Sequence, residues 1–584
     1  MREARPLRVL FLVSAHNSLS QRALIALTEL GHEVTVAVVG SAAEMEAAVA
    51  AHRPQLIVCP ILKTIIPESI WATHRCLIVH PGPRGDRGPS SLDWAIELGA
   101  PDWGVTVLEA SGDVDAGDVW ASRTFRTRGA GKSSLYRHEV RRGAIEALVE
   151  AIGRIVGGAA PPTSDSGGSE PAGQARPLMT QDVRAIDWRR DRTDDVVRKI
   201  RAAEGHPGVL DTIDGTQFHL FGAHRERVLR GRAGEIIAQR TGAICRATVD
   251  GAVWITHLKR RGSEDEAFFK LPATRALALA FSDFDAPEIP VGIAQPLGPG
   301  QTYRDIAYQE HAGVGYLHFD FYNGAMSTEQ CRRLHEAYLL ARSRRQTRVI
   351  VLMGGHDFFS NGIHLNMIEA ADDPAVESWL NLRAINDVVR DIIETDSHLV
   401  VSALTGDAAA GGVPLALAAD HILARDDIVL NPYYQHMGGL YGSEYWTYLL
   451  PRRVGPALAA RLTAPPFTAV GTRQAVDIGL LDAAVRGSAE RFRSDVRGLA
   501  EGLARDPGLG RKLEAKRRQR ARDEAIKPLN AYRKEELAKS HACFFGEDRS
   551  YHEARHRFVH KRGAPGAVTP RAGAAPDAPV RAAA

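Results

Sequence analysis

The chain opens on an uninterrupted apolar run, Val9-Leu-Phe-Leu-Val13, between Arg8 and Ser14. A run this short and this continuous predicts a buried parallel strand over Arg8–Ser14, covered on both faces. A helix-period stretch through Gln21–Leu30 follows, Gly31 stops it, and a second strand is expected at Glu33–Val39. An Ala- and Glu-rich helix then precedes a third strand, Gln55–Cys59, and a fourth, Cys76–Val79. Strand and helix alternating at this spacing predict an α/β fold, with a doubly wound parallel sheet in residues 1–156.

The pattern then changes. Residues 157–177 are rich in Gly, Pro and Ser and read as a flexible linker. Over 178–275 a short helix (Thr193–Ala203) precedes short alternating runs at Thr216–Phe221, Gly234–Gln239 and Ala252–His257, the pattern of a small β-rich domain. A Pro-containing linker at 276–304 leads into longer α/β alternation over 305–485: strand Val314–Phe321, helix Thr328–Arg342, strand Arg348–Met353, helix 374–393 and strand His398–Ala403. Residues 486–562 are charged and helical, and the Ala/Pro/Gly-rich tail 563–584 is expected to be disordered.

At 584 residues the chain is long enough for several domains, and its 44% hydrophobic and 24% charged residues suit packed cores. Lys+Arg at 73 against Asp+Glu at 70 gives +3, no global excess that would mark a nucleic-acid binder. The five Cys form no C-x-x-C pair, which excludes a zinc ribbon, a Cys-ligated iron–sulfur cluster and a disulfide scaffold. No metal site is expected. The start lacks the apolar core of a signal peptide and no stretch approaches a membrane span, so the expectation is a cytoplasmic protein without membrane or nucleic-acid partners.

The densest chemical signal in the first half is His80-Pro-Gly-Pro-Arg-Gly-Asp-Arg-Gly-Pro-Ser-Ser-Leu-Asp-Trp94. It follows the fourth strand, where open α/β sheets place their ligands. His80 can act as a general base near neutral pH, and Asp115, in Gly112-Asp-Val-Asp-Ala-Gly-Asp118, is a carboxylate on a turn that could meet it. The bland reading is a capping His and a turn Asp. With Gly104-Val-Thr106, Ile186-Asp-Trp188, Ile200-Arg-Ala202 and Pro207-Gly208, this segment resembles the 10-formyltetrahydrofolate-dependent formyltransferases over most of residues 6–275. The resemblance implies that His80 and Asp115 belong to a formyl-transfer site. It also implies an Asn two residues before the His, where this chain has Ile78, so Asp86, Arg87 or loop N–H groups are candidates for the missing substrate contact.

The second signal is a design used twice. Val349-Ile-Val-Leu-Met-Gly-Gly-His-Asp-Phe-Phe-Ser-Asn-Gly-Ile-His-Leu365 runs from a strand through a glycine-bearing loop into a helix, and Val400-Val-Ser-Ala-Leu-Thr-Gly-Asp-Ala-Ala-Ala-Gly-Gly-Val-Pro-Leu415 does the same. Two such loops can aim two backbone N–H groups at one thioester oxygen. With Tyr322-Asn-Gly-Ala-Met326 they resemble the crotonase (enoyl-CoA hydratase/isomerase) family over about residues 305–485. That likeness implies an acyl-CoA ligand and an oxyanion hole made by the amides of Ile363 and Gly411. The two general-base Glu residues of the hydratases are replaced by Pro414 and Tyr433. The segment that follows offers Tyr433, Tyr434, His436, Ser443 and Glu444 instead, with Tyr434 and Glu444 as candidate catalytic residues and the others as substrate contacts.

The two halves on one chain resemble a family of hydrogenase-maturation proteins. The likeness implies that formyl passes from 10-formyltetrahydrofolate to coenzyme A, that formyl-CoA is decarbonylated to CO, and that the CO serves a [NiFe] hydrogenase. A hydrogenase large-subunit precursor or another maturation factor is then a candidate partner. A formyl-CoA or acyl-CoA hydrolase or isomerase, or a non-catalytic one-carbon carrier, are the alternative readings. The basic run Arg511–Arg522 reads either as a solvated helix face or as a contact for CoA phosphates or an acidic partner.

Overall fold

A computed structural model describes residues 6–162, 173–262, 268–465, 469–562 and 568–572. It forms two compact units, one of residues 6–289, 298–303 and 568–572, the other of 290–297 and 304–562. Among the described residues no helix is long and apolar enough to cross a membrane.

In the first unit the apolar runs become β1 (Arg8–Val13), β2 (Glu33–Val38), β3 (Leu56–Cys59) and β4 (Cys76–His80), parallel in the order β2-β1-β3-β4. Val9 through Val13 are all buried, because helices cover both faces of the sheet. The sheet is not purely parallel. After the helix Ser91–Glu97 the chain re-enters at the end where it left, so β5 (Asp102–Glu109) lies antiparallel on β4, and β6 (Val119–Arg126) antiparallel on β5. The tail expected to be disordered contributes a strand, Val568–Ala572, antiparallel on β2; its remaining residues lie outside those described. So do residues 163–172 of the linker expected at 157–177, while 173–177 return against the loop after β4.

The β-rich domain comprises β7 (Val209–Ile213), β8 (Thr216–Glu226), β9 (Ile236–Arg240), β10 (Ala243–Ala247) and β11 (Ala252–Arg260), antiparallel in the order β7-β8-β11-β10-β9, with the short β12 (Leu271–Pro272) on β11. Its centre is Trp254, fully buried, with the Arg240 guanidinium 4.3 Å above its ring and Tyr303 packed at 5.6 Å. Residues expected to be linker are therefore partly structural: Ala273–Ala280 is a helix and Tyr303 is core.

The second unit begins with the hairpin β13 (Ile306–His311) and β14 (Val314–Phe319). The chain then repeats one step, placing a strand in a large sheet and the next in a small one. β15 (Val349–Leu352), β17 (Leu399–Leu404) and β19 (His421–Arg425) go to the large sheet; β16 (Phe358–Ser360), β18 (Asp407–Ala409) and β20 (Val429–Asn431) go to the small one. β21 (Val470–Gly471) and β22 (Ala483–Val485) complete the small and large sheets respectively. Each glycine-rich loop lies at such a change of sheet. Gly406 and Gly412 admit no Cβ there, since one would sit 2.2 Å from the Asp357 carbonyl carbon and 1.9 Å from the Ser360 oxygen.

Among the described residues four helices follow. In Ala489–Arg505 the stripe Phe492, Val496, Ala500, Ala504 recurs every turn and buries against Val349, Val351, Leu399 and Val401 of the large sheet. The helices Leu529–Phe545 and Ser550–Val559 bury Leu529, Phe544, Tyr551 and Val559 and, in addition, the polar residues Glu536, Ser540, His552 and Arg555. Phe492→Ala should therefore destabilise the second unit by about 3–5 kcal/mol, lowering its denaturation midpoint while the first unit's transition stays in place.

Candidate active sites

In the first unit, His80 closes β4 and is 4% exposed. Its Nε2 lies 2.9 Å from Asp86 Oδ2 and its Nδ1 3.4 Å from Asp115 Oδ2. The loop after β5 leaves the sheet level with Leu77 and brings Asp115 back to His80, helped by a left-handed backbone at Asp115 (φ 53°). The Gly88 N–H donates to the same Asp115 oxygen at 3.2 Å. One imidazole is thus held between two carboxylates, an arrangement that orients the ring. Gly82 makes the closeness possible: a Cβ there would lie 2.3 Å from Asp86 Oδ2 and 2.5 Å from His80 Nε2.

Asp86 and Arg87, the candidates for the missing substrate contact, are placed differently from one another. Asp86 is fully buried, with Oδ2 on His80 and Oδ1 accepting from Arg176 at 2.8 Å, so it is the orienting partner of the histidine. The Arg87 side chain is exposed, and Arg87 contributes only its backbone, bonded to 174–176. Arg176 is the functional candidate that sequence reasoning missed. It sits in the stretch read as linker, and its guanidinium lies 5.5 Å over the Trp103 ring, beside Asp86. Ile78, in place of the family's Asn, packs in an apolar cluster with Ile57 and Leu62.

In the second unit the two glycine loops touch. A Cβ on Gly362 would lie 3.0 Å from the Gly411 nitrogen, so the loops that carry the Ile363 and Gly411 amides are adjacent. Neither of those amides has a hydrogen-bond partner among the described residues. The first loop is fixed from below: Met326 N–H donates to the Gly362 carbonyl at 2.9 Å, His364 N–H to Asn381 Oδ1 at 3.0 Å, and Asn381 Nδ2 to the Met326 carbonyl at 2.9 Å. Burial holds the His364 imidazole neutral, its pKa lowered to about 4, and its Nδ1 caps the helix Leu365–Glu369 by accepting from Met367 N–H.

Glu444 lies against the second of these loops, at Gly411. A Cβ on Gly411 would come within 2.5 Å of Glu444 Oε1, so only glycine at 411 admits the carboxyl there. Glu444 is 1% exposed, and its Oε2 accepts from Tyr434 Oη at 2.9 Å and from Ser443 N–H at 3.0 Å. Burial, with the neighbouring Glu536 charge adding to it, raises its pKa to about 7 despite these donors. The Tyr434 hydroxyl is pushed up as well, by burial first and then by Glu444. Glu444 and Tyr445 both have left-handed backbones, φ 61° and 58°.

That turn is held by residues the sequence did not single out. Asn386 accepts from Glu444 N–H at 2.6 Å and donates to Ser443 Oγ at 2.8 Å. Glu536, fully buried on the charged helix Leu529–Phe545, accepts from Ser443 Oγ at 3.2 Å and from the N–H groups of Tyr445 and Thr447, each at 2.9 Å. Ser443, expected to touch substrate, thus faces Asn386 and Glu536 and supports the turn. Tyr433 and His436 pack ring to ring at 5.6 Å, with His436 exposed, and neither joins the hydrogen bonds of Glu444. Pro414 is buried in the helix Gly412–Leu417, confirming that no carboxylate occupies that position. The basic run 511–522 is largely neutralised within its unit, with Lys512 on Asp506, Lys516 on Asp420, Arg517 on Asp396 and Arg518 on Glu514.

The fold and these clusters define a protein that joins a formyltransferase-type half to an enoyl-CoA hydratase/isomerase-type half. Family models agree: residues 178–267 match the formyl transferase C-terminal domain, and residues 309–565 match enoyl-CoA hydratase/isomerase. The chain is 47% identical over 555 residues, 95% of each protein, to the hydrogenase maturation factor HoxX of Bradyrhizobium diazoefficiens. It belongs to the HoxX/HypX family of hydrogenase maturation factors. The crystal structure of HypX from Aquifex aeolicus in complex with tetrahydrofolic acid superposes with a TM-score of 0.91 at 42% identity, over 97% of this chain and 98% of that one. A methionyl-tRNA formyltransferase of Variovorax paradoxus is 27% identical over 38% of this chain and 70% of its own length.

The raised pKa of Glu444 has a consequence for stability. Between pH 4.5 and about 7 the folded protein keeps a proton on Glu444 that the unfolded chain has lost, so stability falls as pH rises through that window. The loss should be on the order of 1–3 kcal/mol, with Glu536, also raised by burial, acting in the same direction. Denaturation of the second unit at stepped pH should show this slope, and Glu444→Gln should flatten it.

Proposed function

We propose that the first unit transfers formyl from 10-formyltetrahydrofolate to the thiol of coenzyme A, and that the second unit decarbonylates formyl-CoA, releasing CO for a [NiFe] hydrogenase. The observation that carries the second step is Glu444: a buried carboxyl, titrating near neutrality, against the Gly411 amide of a crotonase-type fold that lacks both hydratase carboxylates. Family membership and the relative solved with tetrahydrofolic acid support the first step.

In the formyl-transfer step, coenzyme A thiol attacks the formyl carbon and the C–N bond to the folate breaks. His80, held by Asp86 and Asp115, takes the thiol proton and returns it to the departing folate nitrogen. Arg176, beside Asp86, brings positive charge to the cluster that lost the family's Asn. In the second step the formyl oxygen is directed at the Ile363 and Gly411 amides. Ionised Glu444 removes the formyl proton, the C–S bond breaks, CO leaves, and the protonated carboxyl returns its proton to the thiolate. Atoms balance as formyl-CoA giving CO and CoA, with no water consumed. A pKa near 7 suits a group that must both accept and donate that proton. Tyr434, bonded to Glu444 Oε2, leaves Oε1 turned toward Gly411 for this work.

The two steps separate by substitution. His80→Ala should lower formyl transfer from 10-formyltetrahydrofolate by about 10²–10⁴-fold while CO release from supplied formyl-CoA persists. Glu444→Gln should show the opposite pattern, with formyl-CoA accumulating. CO trapped by a haem protein and CoA esters resolved by chromatography read both. If wild-type protein converts formyl-CoA only to formate, the second unit is a hydrolase and the reading fails.

A further inference from the structure

The last helix carries a cluster that neither reaction uses. Ser550–Val559 ends at His560 and sets His556 and His560 one turn apart on the same face. Both meet Glu369, the last residue of the helix Leu365–Glu369. His556 Nδ1 lies 2.7 Å and His560 Nε2 3.3 Å from the same oxygen, Glu369 Oε1. The two rings are 4.2 Å apart between centroids, inclined at 37°. The other carboxylate oxygen, Oε2, is held by Arg555 Nε at 2.7 Å. Arg555 is held in turn by His552 Nδ1 at 2.8 Å, and His552 Nε2 donates to the Phe544 carbonyl at 2.9 Å.

We propose that Glu369, His556 and His560 form a binding site for a divalent transition-metal cation of the Zn²⁺ class. The donor set, two imidazoles and a carboxylate, is one that such ions take. Metal–ligand distances of about 2.0–2.2 Å in a tetrahedron separate the donors by about 3.3 Å. The three donor atoms here all lie within 4.8 Å of one another, two of the separations being 2.7 and 3.3 Å, so side-chain adjustment of about an ångström closes the site. Arg555 on Oε2 leaves Oε1 facing the imidazoles and fixes the carboxylate plane, the office of an outer-shell partner. The carbonyl end of the helix supplies negative potential at His560. The His556 side chain is 44% exposed, so water can complete the coordination.

The competing reading is an ion-paired helix cap, with both imidazoles donating to Glu369. It leaves unexplained why two rings converge on a single oxygen while the guanidinium takes the other. Occupancy would tie the C-terminal helix to the helix that follows the Ile363 loop. The cluster escaped sequence reading because the His pair is adjacent in sequence, whereas its carboxylate lies 187 residues from His556.

The test uses full-length protein stripped with a chelator. Zn²⁺ titrated calorimetrically should bind saturably at one equivalent per chain. Co²⁺ in the same site should show visible absorption bands that Zn²⁺ displaces. His556→Ala and His560→Ala should each lose affinity at least about tenfold. His311→Ala, which removes an imidazole paired with Glu501 in the same unit, should bind as wild type. His556→Gln and His560→Gln serve where an alanine variant loses its circular dichroism spectrum. Absence of saturable Zn²⁺ binding in wild type, or unchanged affinity in both histidine variants, overturns the site.

Discussion

A carboxyl group buried without a cation organises the second unit. Glu444 is almost wholly removed from water, and among the described residues it forms no ion pair. A carboxylate in that position is stabilised only by neutral donors, here the Tyr434 hydroxyl and the Ser443 N–H, so its charged form is disfavoured. Much of the surrounding structure is explained by the need to keep it there. Gly411 makes room for it, and Gly442, at φ +76°, lets the Tyr434 ring pack on its backbone. Left-handed conformations at Glu444 and Tyr445 cost about 1–2 kcal/mol each, and the hydrogen bonds from Asn386 and Glu536 to that turn offset them. The charged C-terminal helix is therefore part of the site, since Glu536 is what makes the turn a fixed object.

The first unit solves the opposite problem. There the working group is an imidazole, and two carboxylates flank it, each positioned by its own device: Arg176 for Asp86 and the Gly88 N–H for Asp115. The two sites differ in kind. In the proposed reaction the first surrounds a base with charge, where it would carry a proton between a thiol and an amine. The second buries an acid away from charge and water, where in the proposed reaction it would take a weakly acidic C–H proton without activating a nucleophile. The absence of carboxylates at positions 414 and 433 fits that division, because a site that positioned water would send formyl-CoA to formate.

The strands, the repeated strand–loop–helix step and the helix Ala489–Arg505 were legible because each rests on a local periodicity: continuous runs for β1, β15 and β17, and a one-turn stripe for Phe492 to Ala504. His80, Asp115, Tyr434 and Glu444 stood out as candidates because they stand in or beside glycine-rich segments that break such periodicity. Three kinds of residue were not. Arg176 lies in a stretch whose composition signals a linker, and only its return against the His80 loop gives it a partner. Glu536 is one acid in a charged helix, and nothing local distinguishes a buried acceptor of several N–H and O–H donors from a solvated one. Asn386 sits inside an amphipathic helix, where its amide reads as an ordinary polar position. Conversely, Arg87 and Ser443 were expected at substrate because they are polar and adjacent to catalytic groups, but adjacency in sequence placed their side chains outward and into the support network respectively.

In the proposed reaction Glu444 removes the formyl proton rather than activating water. Formyl-CoA carrying deuterium on the formyl carbon tests it most directly, in a single turnover with the products trapped. Proton removal by Glu444 should give a primary isotope effect on CO release, with the deuterium leaving the carbon and appearing in solvent or on the CoA thiol, and loss of the reaction in Glu444→Gln. Formate that retains its deuterium, formed at a rate indifferent to the isotope, would contradict it.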